Sequence, residues 1–367
     1  MFSKRTKSVD SSGIRRVFDL AAKLKDPINL SIGQPFFDSS LEVKEAACEA
    51  INSRRNGYTV TQGIPELREI VSNRYGITAG DGQSCCITSG TSGGLLLSYM
   101  AMLDPGDEIL IPDPFFCMYR DVATLINAVP KYYDTYPDFR VRRAELDANV
   151  SAKTKAIVLS SPGNPTGRAI SEAEFATVVD FARQHDLWII YDEIYSAFSF
   201  DVPHVEAYGR YEKTVILNGF SKSHGVPGWR VGFAVGPSAL IQELCKLQQY
   251  TFVCAPSIAQ YGLLKSPQVD LETQLSEYRS NRDLICDALS AAFTFEKPDG
   301  AFYLFPEAPG GSGQSFVERC ISQSLLVVPG NVFSRRDSHF RISFSAPKQE
   351  LQRGIEVLLR LANTAIA

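Results

Sequence analysis

Two cationic side chains eight residues apart carry the sharpest chemical signal in this chain. They are Lys222 and Arg230, within Asn218-Gly-Phe-Ser-Lys222-Ser-His-Gly-Val-Pro-Gly-Trp-Arg230-Val-Gly232. Lys222 follows an apolar run in a turn of small residues. A lysine that is desolvated there is the residue type for Schiff-base chemistry, because burial lowers its pKa and frees a nucleophilic amine. A solvated turn lysine is the plain structural alternative. Other polar groups also stand at the ends of apolar runs: Gly90-Thr91-Ser92, Ser161-Pro-Gly-Asn164-Pro-Thr-Gly167 and Tyr191-Asp192-Glu-Ile-Tyr195.

These groups need elements that bring them together. Short, nearly continuous apolar runs read as strands at Cys86 to Thr88, Asp107 to Ile111, Ala156 to Ser160, Leu187 to Tyr191, Thr214 to Asn218 and Arg230 to Val235. Helical patterns run from about Gly93 to Leu103 and from Ser171 to His185. Such alternation predicts an α/β domain with a buried, mostly parallel sheet flanked by helices. Open α/β sheets bind ligands at the carboxyl ends of their strands. That edge then offers amides and hydroxyls at a helix start, suited to a phosphate, together with an amide, a carboxylate, a phenol and a lysine. The set fits pyridoxal 5′-phosphate. After about residue 275 the pattern changes to a long polar helix (Gln274 to Ala292), strand-like pieces at 302–305, 325–328 and 340–344, and a last helix from Lys348 to Ala362. The expected organisation is a large domain at 41–275 and a smaller α+β domain built from both termini, 1–40 and 276–367.

Taken together, these motifs resemble the class I/II aminotransferases of pyridoxal-phosphate fold type I, of the aspartate, aromatic and alanine kinds. Gly219-Phe-Ser-Lys222-x-x-Gly-Val-x-Gly-x-Arg230-Val-Gly232 is similar to their cofactor-attachment pattern. The likeness extends through Leu30-Ser-Ile-Gly-Gln-Pro35, Tyr58-Thr-x-Thr-x-Gly63, Asp104-Pro-Gly-Asp107, Ser161 to Gly167, Asp192-Glu-Ile-Tyr195, Gly300-Ala-Phe-Tyr303, Val328-Pro-Gly330 and Arg341. The resemblance implies the following roles. Lys222 forms the Schiff base and then shuttles the proton. Asp192 holds the pyridinium nitrogen protonated, while Tyr195 and Asn164 donate to the cofactor's 3′ oxygen. Arg230, Thr91, Ser92 and Ser221 hold the phosphate, and Phe116 stacks on the ring. Arg341 binds the substrate α-carboxylate with help from Asn164 and the Gly33 amide. Tyr58 reaches the phosphate of a neighbouring subunit, so a homodimer is implied. The structural alternatives are an N-cap for Asp192, a turn for Asn164-Pro165, core packing for Phe116 and a solvated strand arginine for Arg341.

The function so implied is transfer of the amino group of an L-amino acid to a 2-oxo acid in a ping-pong cycle. The same residues would also serve a C–S β-lyase or other carbanion chemistry. A pyridoxal-binding regulator would carry a DNA-binding domain ahead of this fold, and about 13 residues precede Ile14. Side-chain specificity is expected to lie near Ile14, at Ser92 and in Tyr250 to Pro256. Some aspartate-type relatives place a lysine where Ser92 stands. Apolar or aromatic donors, or alanine, are therefore expected as readily as aspartate.

Composition narrows the field from the other side. Of 367 residues, 37 are Lys or Arg and 41 Asp or Glu, for a net charge of −4, with no polybasic run, so nucleic acid is not an expected partner. Hydrophobic residues at 44% exclude wholesale disorder. No apolar stretch approaches the ~18–20 residues of a membrane helix, and residues 1–16 lack the apolar segment of a secretory signal. Eight scattered cysteines, with no C-x-x-C pair, suggest reduced thiols in a cytoplasmic protein, and four histidines without ligand spacing suggest no metal.

Overall fold

A computed structural model describes residues 2–9, 13 and 24–363. The strands are β1 (Ile28–Asn29), β2 (Gln83–Ser89), β3 (Glu108–Asp113), β4 (Val129–Asp134), β5 (Thr154–Ser160), β6 (Trp188–Asp192), β7 (Thr214–Gly219), β8 (Val231–Pro237), β9 (Tyr303–Leu304), β10 (Leu325–Leu326), β11 (Val328–Pro329) and β12 (Phe340–Ser343). Seven of them form the main sheet, in the order β2-β8-β7-β6-β5-β3-β4. Its strands other than β4 are apolar on both faces. One face (Ile87, Leu110, Ile157, Ile189, Ile216, Phe233) joins one core. The alternate residues (Cys86, Ile109, Val158, Ile190, Leu217, Ala234) join another on the opposite side. This is why the strands read as continuous apolar runs.

Two features differ from the sequence reading. β8 runs antiparallel to both β7 and β2, although the other pairs are parallel. β4 was not expected. It is an edge strand carrying Pro130, Lys131 and Asp134, only partly buried, and so lacks the apolar signature. The helix expected from Gly93 begins at Gly90 and ends at Met102, so Thr91 and Ser92 lie in its first turn. The helix Glu172–His185 starts where expected. Ser171 accepts from the Glu174 amide, and the Glu174 side chain returns to the Ser171 amide, forming a capping box.

A separate core gathers Ile28, Leu30, Tyr278, Ile285, Leu304, Phe340, Ile342 and Leu358, and Tyr195, Phe198 and Phe200 join it. β12 pairs with β11 and β9, and β1 pairs with β10. The Leu30 amide donates to Leu326 O and Leu30 O accepts from the Ser343 amide, which fastens the 30–33 segment to these strands. Among the described residues, none of the eight cysteines is joined in a disulfide. Among the described residues, no helix is long and apolar enough to cross a membrane.

Candidate active site

Strand register sets the site's level. Ser160 lies opposite Asp192, Asp192 opposite Leu217, Gly219 opposite Gly232, and Ser89 opposite Val231. The carboxyl ends of β2, β5, β6 and β7 and the start of β8 therefore share one edge. A cavity of about 270 Å³ opens there. It is lined by Gly33, Thr91, Ser92, Phe116, Asn164, Asp192, Tyr195, Ser221, Lys222, Arg230 and Arg341. Tyr58 does not line it and is 88% exposed. The Ile14 region lies outside the described residues.

Lys222 is half-buried and its Nζ donates to Gly33 O at 2.6 Å. Burial, reinforced by Arg230 and Arg341, pulls its pKa down to about 8, against the opposing pull of Asp192. Asp192 is buried at the end of β6. Its Oδ2 accepts from the Tyr119 hydroxyl at 2.8 Å and its Oδ1 from the Ile194 amide at 3.1 Å. Burial lifts its carboxyl to about 6, and those two donors hold it down. The Tyr195 hydroxyl meets the Tyr303 hydroxyl at 2.6 Å.

Arg341 is 1% exposed. Its guanidinium lies 4.5 Å from the ring centroids of both Tyr303 and Phe333. Nη1 donates to Asn164 Oδ1 at 2.9 Å and Nη2 to Ser31 O at 2.7 Å, while Nε is buried without a partner. Burial lowers its pKa.

At the other end of the cavity, close backbone approaches leave a cradle. Arg230 sits in the left-handed region (φ 56) after a 3-10 turn, Pro227–Trp229, and its Nη1 donates to Pro227 O at 3.0 Å. Gly90 opens its helix at φ +67, and a Cβ there would lie 2.5 Å from Arg230 Nη2. A Cβ at Gly232 would lie 2.6 Å from Gly90 C and Thr91 N. Only glycine allows this packing. It leaves the first amides of the Gly90–Met102 helix beside a guanidinium, an arrangement suited to an oxyanion.

Sequence reasoning did not assign Tyr119 or Tyr303. Tyr119 follows Phe116 by one helical turn, and their rings meet edge-on at 5.8 Å. Tyr303 closes the Gly300-Ala-Phe-Tyr run, a motif of the resemblance that by itself implies no role for its tyrosine. Of the specificity positions, Ser92 lines the cavity. In the 250s segment Tyr250 is exposed, and Phe252 lies over the helix start, 3.4 Å from where a Cβ at Gly93 would be.

The family model for aminotransferase class I and II matches residues 25–358. The chain is 34% identical to an aspartate aminotransferase of Pyrococcus abyssi, over 96% of each chain. It is 33% identical to aromatic-amino-acid aminotransferase 2 of Thermococcus litoralis, again over 96% of each. Among solved structures, the aspartate aminotransferase of Thermus thermophilus with maleate superposes with a TM-score of 0.93 at 28% identity, covering 98% of this chain and 99% of that one.

Proposed function

The chain belongs to the class I and II aminotransferase family, and from that premise we propose that it moves the amino group of an L-amino acid to a 2-oxo acid with pyridoxal 5′-phosphate held around Lys222. The relatives are named as aminotransferases, which favours transfer over elimination. The family as a whole is pyridoxal-phosphate-dependent, and this cavity fits that group. The cradle that a Cβ at Gly90 or Gly232 would fill suits a phosphate. When bound, the cofactor supplies an electron-withdrawing ring that stabilises negative charge at the substrate's α-carbon.

The observation that carries the reading is the Lys222 amine, desolvated to a pKa of about 8 in the same cavity as Asp192 and Arg341. An amine with that pKa is partly neutral near physiological pH. It can act as nucleophile and then accept or return a proton at Nζ. Asp192 would place its carboxylate at the ring nitrogen, and Tyr195 and Asn164 their polar groups at the ring's oxygen. Arg230, Thr91, Ser92 and Ser221 would take the phosphate, and Phe116 would cover the ring face. Arg341 would take the substrate α-carboxylate. Its unpartnered Nε and the remaining guanidinium protons give it donors to spare. The Gly33 amide would assist. The two-unit division at 41–275, against 1–40 with 276–367, belongs to the same reading and is supported by the separate core around Tyr278 and Phe340. So does a homodimer, in which exposed Tyr58 reaches the neighbouring copy's cavity.

The test is reconstitution with pyridoxal 5′-phosphate, borohydride reduction and peptide mass mapping, followed by an amino-donor panel against 2-oxoglutarate and pyruvate. We expect the label on Lys222 and consumption of an oxo acid. A label elsewhere, or no transfer from any donor, refutes the reading.

A further inference from the structure

The two phenols at the cavity wall form a chain that can run in either direction. The Tyr195 and Tyr303 hydroxyls are 2.6 Å apart, and each residue is buried. Each phenol has one proton, so one of the two must donate to the other. If Tyr195 donates to Tyr303, its proton is turned away from the cavity. If Tyr303 donates to Tyr195, the Tyr195 proton is free to point inward. An electron-rich oxygen in the cavity selects the second arrangement, because hydrogen bonds in series polarise and strengthen one another.

Tyr303 is fixed for that task from three sides. Its strand pairs Tyr303 with Ser343, two residues from Arg341. Its ring lies 4.5 Å from the Arg341 guanidinium. Its hydroxyl fills the space over Gly33, where a Cβ would lie 2.5 Å away. The Gly33 carbonyl in turn receives the Lys222 amine.

We infer that Tyr303 is a positioning residue that aims the Tyr195 proton into the cavity and strengthens its donation to the cofactor's phenolic oxygen. This rests on the cofactor reading above. Donation to that oxygen stabilises it as the anion and favours the proton-poor form of the bound cofactor. Losing the donation therefore raises the pH at which the bound cofactor's visible absorbance changes.

The experiment is a spectroscopic pH titration of the holoenzyme and of its Tyr303→Phe, Tyr195→Phe and double variants. Tyr303→Phe keeps the ring against Arg341 and removes only the hydroxyl. Its midpoint is expected to rise by about one pH unit, a tenfold change in proton affinity, with KM for the amino acid changed less than about twofold. The double variant is expected to match Tyr195→Phe alone, because Tyr303 acts only through Tyr195. Gly33→Ala, which crowds the Tyr303 hydroxyl, should move the midpoint the same way and provides a second reading should Tyr303→Phe fold poorly. Midpoints unmoved in both Tyr303→Phe and Gly33→Ala overturn the inference. So does a Tyr303→Phe shift of equal size in the Tyr195→Phe background. A wild type that shows no visible band after cofactor addition defeats the cofactor reading instead. A normal wild-type titration beside unmoved variants defeats this inference alone.

Discussion

Replacing Arg341 with methionine separates what this residue does for a substrate from what it does for the fold. The guanidinium is 1% exposed, and among the described residues no carboxylate pairs with it. Its partners are two neutral oxygens, Asn164 Oδ1 at 2.9 Å and Ser31 O at 2.7 Å, and two ring faces. A cation buried this way costs several kcal/mol until an anion reaches it. On the substrate side, two charge-assisted bonds to an α-carboxylate are worth ~1.5–3 kcal/mol each. Their loss amounts to about 3–6 kcal/mol, or a fall of about 10² to 10⁴ in kcat/KM. On the folding side, Asn164 and Ser31 each lose a donor, at ~1–3 kcal/mol apiece. Relief of the uncompensated cation opposes that loss, so the apo melting temperature should move by no more than about 3 °C. The assay compares kcat/KM for a donor amino acid and for the matching amine without its carboxylate, alongside thermal melts of the apo protein. Only the amino acid should suffer. Equal losses for both substrates would refute carboxylate recognition by Arg341. A fall in melting temperature above about 8 °C would refute the opposing terms.

Lys222 makes the apo protein's stability depend on pH. Its folded pKa of about 8 lies below the ~10.4 of an unfolded lysine. Between those values the unfolded chain holds a proton the folded chain has shed. Stability should therefore rise with pH across that window, and Lys222→Met should flatten the rise in urea midpoints taken at stepped pH. Tyr119→Phe removes the 2.8 Å donor to Asp192, a carboxyl already lifted to about 6 by burial. The acidic limb of the kcat profile should then move up by about one unit, and an unmoved limb counts against the pairing. Gly90→Ala forces a Cβ into a left-handed backbone (φ +67), at a cost of ~1–2 kcal/mol, and against Arg230 Nη2. Cofactor titration should show affinity at least about tenfold weaker, with little change in KM for the amino acid.

The legible parts of this chain are those whose signal is local. Residues 218–232 hold a lysine, an arginine and Gly232, and residues 90–92 hold the helix start that faces them, so the cradle could be anticipated from two short stretches. The strands of the sheet interior were legible because each is apolar on both faces. The same property hid the direction of β8: an antiparallel strand buried on both sides has the same composition as a parallel one. β4 was hidden for the opposite reason, since an edge strand carrying Pro130 and Lys131 has no apolar run to read. The missed phenols mark a different limit. Tyr119 reaches Asp192 across 73 residues, and Tyr303 reaches Tyr195 across 108. In sequence each reads as an ordinary buried aromatic. Their significance lies in which oxygen each hydroxyl finds, and that follows from register: β6 delivers Asp192, and β9 sets Tyr303 beside the strand of Arg341. The cavity's charge balance follows from the same placement. Lys222, Arg230 and Arg341 converge on a space where Asp192 is the one lining carboxylate among the described residues. That excess of positive charge adds to burial in depressing the Lys222 amine, and it suits the cavity to a ligand that brings a phosphate and a carboxylate of its own.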